Sequence, residues 1–227
     1  VSMNQGSDVE FLAEKGLIPK NWAQRLPNNS SPFTSTMVFV VRQGNPKGLK
    51  DWPDLLKPGV GVILPNPKTA GNGRYTYLAA WAWAKNQPGG NDAKGEEFVT
   101  GLLRNVPILA PGGRAATTTF AQQGIGDVLI TFENEVYLIE AEFGTNKFDV
   151  VYPSASILAE LPVTVVDKVV DKRGTRAVAE AYLQYLYSSE GQQLALKHRI
   201  RPSDNKLLEA NRVLFKPIKL YRVEQEF

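Results

Sequence analysis

A short turn, Pro65-Asn66-Pro67-Lys68-Thr69-Ala70-Gly71-Asn72-Gly73-Arg74, separates the apolar run Gly61-Val62-Ile63-Leu64 from the Ala- and aromatic-rich run Tyr75 to Trp83. The first run is short, β-branched and bounded by Gly and Pro, so it predicts a buried strand, and the second predicts a buried helix. Small residues in such a turn let backbone approach a ligand, and the N–H groups of a starting helix point outward at the positive end of its dipole. Two readings are open here: ordinary helix capping in an α/β protein, or an anion site. A second copy of the arrangement favours the anion site. Ala110-Pro111-Gly112-Gly113-Arg114-Ala115-Ala116-Thr117 again follows an apolar segment, Val106 to Leu109, and again sets a Gly pair and an Arg ahead of a small-residue helix. Two such starts suggest one ligand held from two directions.

Around these turns the chain repeats strand, loop and helix. Thr36–Arg42, Asp127–Phe132, Phe148–Tyr152 and Val163–Val166 read as strands, with Lys219–Tyr221 as a candidate last one. Helices are expected around 96–103, from Glu133, over 177–187 and from Ser189. Ser7 and Glu10 have capping-box spacing ahead of a short helix that Gly16 stops. Pro27 to Pro32 reads as a turn-rich connection, and its Asn-x-Ser matches as chance rather than glycosylation. This alternation predicts an α/β fold with mixed sheets and helices on both faces, in which ligands bind beyond the carboxyl ends of strands. Both glycine turns occupy that position.

Composition narrows the chemistry. The chain has 227 residues, 43% of them hydrophobic, enough for one large domain or two modest ones. It has no cysteine and one histidine, His198, which sits at the charged end of a helix where a solvated or dipole-complementing role is expected. The lack of cysteine removes a thiol nucleophile and Cys-based metal sites, and a Ser-His-Asp triad or a His-rich metal site has almost nothing to draw on, so no catalytic residue, metal or cofactor is expected. The net charge of +3 is scattered, giving no basic stripe for nucleic acid. The chain holds no apolar run of bilayer-spanning length and no Walker pattern. Glu133 and Glu135, two residues apart at a helix start, do not share a face, so helix-dipole complementarity explains them better than acid–base work.

A pocket of N–H groups suits a fully ionised tetrahedral anion such as sulfate, because a P–OH proton of hydrogen phosphate would be buried without an acceptor. Neither glycine turn contains Asp or Glu. The competing expectation is an enzyme that handles phosphate or sulfate esters with the same turns.

At Asn66–Tyr75, Gly112–Phe120, Gly126–Glu135 and Ile157–Glu160 the chain resembles the periplasmic sulfate- and thiosulfate-binding proteins that feed ABC importers. The resemblance covers most of the chain, in order. It implies a two-lobed periplasmic binding protein fold of type II, with residues 1–40 in the first lobe and crossover, 41–155 mainly the second lobe, and 156–227 a return to the first lobe and C-terminal helices. It implies a dehydrated anion in an interlobe cleft, bound at Ala70, Gly71, Asn72, Gly73, Gly113 and Phe132, with backbone N–H groups of Ala70, Gly71, Asn72 and Gly113 as donors and Arg74 and Arg114 in support. It further implies a monomer that delivers sulfate or thiosulfate to a membrane permease.

The family usually carries Ser where Ala70 stands, and its sulfate-type members carry Trp where Phe132 stands, so two donors are lost. The Gly-Asn-Gly-Arg turn and Phe132 are similar to the thiosulfate-type branch. Family members also begin with a signal peptide, strands and a Ser/Gly-rich turn that add anion contacts, and they continue past Phe227. The N-terminal strands and C-terminal tail are thus expected to be missing here, with Val1–Asn4 the tail of a strand inside a longer protein.

Overall fold

The computed structural model describes all residues, 1–227. Twelve strands are formed: β1 (Ser2–Met3), β2 (Phe33–Ser35), β3 (Met37–Arg42), β4 (Val62–Pro65), β5 (Leu109–Ala110), β6 (Val128–Phe132), β7 (Phe148–Val151), β8 (Ala155–Ile157), β9 (Ala159–Glu160), β10 (Val163–Thr164), β11 (Arg201–Pro202) and β12 (Lys219–Tyr221). The helices are α1 (Gly6–Glu14), the single turn α2 (Pro27–Ser30), α3 (Gly71–Lys85), α4 (Asp92–Arg104), α5 (Gly113–Thr117), α6 (Glu133–Phe143), α7 (Asp167–Arg173), α8 (Arg176–Leu186), α9 (Ser189–Lys197), α10 (Asn205–Ala210) and α11 (Val223–Glu226). The mixed α/β class expected from the sequence is the one observed.

The chain divides into two compact units. The first comprises Val1–Ser35 and Ala159–Phe215, and the second Thr36–Leu158 and Lys216–Phe227. Residues 156–227 are expected to return to the first lobe, whereas Lys216–Phe227 groups with the second unit, in which β12 pairs in parallel with β8.

In the first unit, β1 pairs with β10, and β2 lies between β11 and β9, all antiparallel. Val163, Val165, Val170, Ala179, Leu183 and Leu186 form one apolar cluster, and Val9, Ala13, Ile18 and Trp22 another. Gln5, not Ser7, stands before α1, and it makes no side-chain cap. Ser7 is already inside the first turn, so the expected capping box does not form. In α2, Asn28, Asn29 and Ser30 are all left-handed, at φ 56°, 54° and 57°. Asn tolerates that region better than most residues, and Ser30 is held there by its buried hydroxyl, which donates to the Trp22 carbonyl at 2.9 Å.

The second unit is built on a five-stranded sheet in the order β5-β4-β6-β3-β7. β5, β4 and β6 run parallel, while β3 is antiparallel to β6 and β7. Met37 to Val41 are all buried, as a central strand covered on both faces requires. Val40, Ile63 and Leu129 pack with Ala116 and Phe120 of the α5 region and Ile139 of α6. Phe39, of opposite parity, meets Trp52 edge-on at 4.9 Å. Each such fully buried side chain contributes about 1.5–3 kcal/mol by leaving water. The result is a rigid platform whose parallel strands end side by side.

Candidate functional site

The three parallel strands each lead into a helix at their carboxyl ends: β4 into α3, β5 into α5, β6 into α6. The register pairs Pro65 with Ala110 and Ile63 with Leu129, which brings the three exits together. Two hydrogen bonds tie the first two loops: the Asn66 N–H donates to the Ala110 carbonyl at 2.7 Å, and the Thr69 hydroxyl to the Pro111 carbonyl at 3.0 Å. The two glycine turns are therefore neighbours.

Helix geometry identifies the amides that belong to each helix start. In α3 the Arg74 N–H donates to the Ala70 carbonyl, and in α5 the Ala116 N–H donates to Gly112. The N–H groups of residues 71–73 and 113–115 precede those first intrahelical bonds and belong to the helix starts. Ala70 differs from the expectation for it. Its N–H donates to the Asn66 carbonyl at 3.0 Å, closing the loop before the helix, so the residue serves as the N-cap of α3.

Gly73 has a packing role the sequence did not reveal. A Cβ added there would lie 2.3 Å from the Pro65 carbonyl oxygen and 2.8 Å from backbone of Asn66 and Pro67, so the first turn of α3 rests directly on the strand exit. Gly113 faces Asn72: a Cβ on it would stand 3.3 Å from Asn72 Nδ2. Phe132, the last residue of β6, meets Tyr75 of α3 at 5.8 Å in an edge contact. Residues 70–73, Gly113 and Phe132 thus share one region.

The two arginines behave differently. Arg74 is half-buried within the first turn of α3. Arg114 is exposed and grips Glu142 of α6 with both guanidinium nitrogens at 2.5 Å. That pairing holds the Glu142 carboxyl below its ordinary range and raises the guanidinium. Arg114 is therefore a clamp between α5 and α6. Glu133, buried at the start of α6, donates its backbone N–H to the Thr36 carbonyl, and burial raises the Glu135 carboxyl against the opposing pull of Arg114.

Sequence reasoning missed the side chain of Asn72, which donates through Nδ2 to Thr131 Oγ1 at 3.1 Å and so joins α3 to β6. The one available signal is the hydroxyl of Thr131 inside the apolar strand Val128–Phe132. No cluster of His, Cys, Asp or Glu is grouped to hold a metal ion, and no helix is long and apolar enough to cross a membrane. A cavity of about 560 Å³ lined by Leu56, Trp83, Phe98 and Arg104 lies at the far end of α3, away from the glycine turns.

Residues 1–198 match the model of the bacterial extracellular solute-binding proteins. The chain belongs to that family. As a solute-binding protein it is 58% identical, over its whole length, to a thiosulfate-binding protein of Pseudomonas aeruginosa, spanning 68% of that protein. It is 52% identical, again over its whole length, to a sulfate-binding protein of Escherichia coli, spanning 69% of it. Among solved structures, the sulfate-binding protein SubI of Mycobacterium tuberculosis superposes with a TM-score of 0.86 at 34% identity, over 96% of this chain and 74% of that one. These relatives are binding proteins, and this chain is a binding protein rather than an enzyme.

Proposed function

We propose that this protein captures inorganic sulfate or thiosulfate at the helix starts of α3 and α5, in the periplasm, and hands it as a monomer to an ABC permease for sulfur uptake. The observation that carries the reading is the cross-tied pair of glycine-led helix starts at the ends of parallel strands, in a chain akin to sulfate- and thiosulfate-binding proteins. The donors are the backbone N–H groups of Gly71, Asn72 and Gly113, with Gly73 shaping the turn, Phe132 lining it, and Arg74 and Arg114 supporting the two helices.

Uncharged N–H groups and helix dipoles can replace the hydration shell of a divalent anion without a formal counter-charge. With no carboxylate in either turn, a fully ionised anion is favoured over one that brings its own proton. The Phe132 side chain offers no N–H, which favours thiosulfate, whose terminal sulfur asks less of a hydrogen-bond donor than an oxygen does. Isothermal titration with sulfate, thiosulfate and phosphate at neutral pH tests the reading. Saturable heat with thiosulfate or sulfate and none with phosphate is expected, and silence with both sulfur anions would overturn it.

A further inference from the structure

Asn72 is buried, and its side chain is poorly satisfied. Nδ2 has its partner in Thr131 Oγ1, but Oδ1 is buried with none, as is Thr76 Oγ1 one turn along the same helix. Buried polar atoms are almost always paired, and leaving a carbonyl oxygen without a donor costs free energy. A helix needs no carboxamide at its second position, and Gly or Ala would leave no such atom. An unpaired amide oxygen retained between two glycines points to a role other than stability.

The surroundings indicate that role. Through Thr131 the carboxamide ties the first turn of α3 to the end of β6, and the same Nδ2 sits against the place where Gly113 begins α5. One side chain thus joins α3 to β6 and borders the start of α5. We propose that the Asn72 carboxamide is a positioning residue: by bonding Thr131 and backing Gly113 it fixes the spacing between the amides of α3 and those of α5, at the expense of ligand-free stability. This inference rests on the anion-binding reading above.

Asn72→Ala, Thr131→Val, Thr131→Ser and the double variant Asn72→Ala/Thr131→Val test it by two readouts, urea denaturation without anion and calorimetric Kd for thiosulfate and sulfate. Asn72→Ala keeps the backbone N–H, so a direct donor is not lost. The expected result is ligand-free stability equal to or above the wild type with Kd weakened about tenfold or more, the equivalent of 1.4 kcal/mol. Thr131→Val should weaken binding similarly, the double variant no further than Asn72→Ala alone, and Thr131→Ser should bind as the wild type does. An unchanged Kd in Asn72→Ala, or additive losses in the double variant, would overturn the proposal while leaving the anion-binding reading intact. A wild-type protein silent toward both anions would instead remove that reading, and this inference with it.

Discussion

The two glycine-led helix starts look alike in sequence and differ in how they are embedded. α3 is long, Asn72 and Gly73 of its first turn are buried, and Gly73 lies against the backbone of Pro65, Asn66 and Pro67. α5 is five residues long, passes into a π-helical turn over Thr118–Gln122, and has as its N-cap Gly112, where an added Cβ would meet nothing within 4 Å. Gly112 is also fully extended at φ −163°, a conformation open to any residue. At the start of α3, Gly73 is thus demanded by packing against backbone. At the start of α5, only Gly113 is constrained, and by a side chain rather than by backbone.

That contrast can be broken by substitution. Gly73→Ala should have the largest effect, because three backbone atoms would have to move: a loss of about 3 kcal/mol in urea denaturation is expected. A fold as stable as the wild type would show that α3 does not rest on the strand exit. Gly113→Ala should cost about 1 kcal/mol or less in stability, since the side chain of Asn72 can yield by a few tenths of an ångström. Its signature is weaker anion binding by calorimetry, and an unchanged Kd would separate α5 from the site.

Arg114→Ala should remove the clamp on α6 with a smaller effect again, visible mainly as altered acid stability. The Glu142 carboxyl is lowered from its ordinary 4.5 chiefly by its hydrogen bond from Arg114. Its contribution is therefore present above that value and fades as the pH falls through the lowered one. Wild-type melting temperature should drop across that acid window more steeply than that of the variant, and identical profiles would dismiss the clamp. Gly112→Ala should change stability by less than about 0.5 kcal/mol and binding not at all. A large loss there would erase the distinction between the two turns.

Much of this molecule was legible in local pattern. The apolar run Val128–Phe132 followed by Glu133 marks a strand passing directly into a helix, and the small-residue turns before Gly71 and Gly113 mark two helix starts. Features set by distant partners were not legible. Lys219–Tyr221 reads as a strand, but its parallel partner Ala155–Ile157 is chosen by the fold. The Ala70 N–H was expected to face the anion, yet the preceding loop closes tightly enough for the Asn66 carbonyl to take it. The bond from Asn72 to Thr131 spans two elements that no periodicity connects. Ser7 and Glu10 have capping-box spacing, but α1 starts two residues too early for Ser7 to cap it.

The most direct measurement is a crystal structure with thiosulfate, located by the anomalous signal of its two sulfur atoms. Paired peaks within hydrogen-bond reach of the N–H groups of Asn72 and Gly113 are predicted, with Phe132 alongside. Sulfur peaks bound elsewhere, or water-filled space between those two amides at saturating thiosulfate, would contradict the assignment of these helix starts as the place where the anion is held.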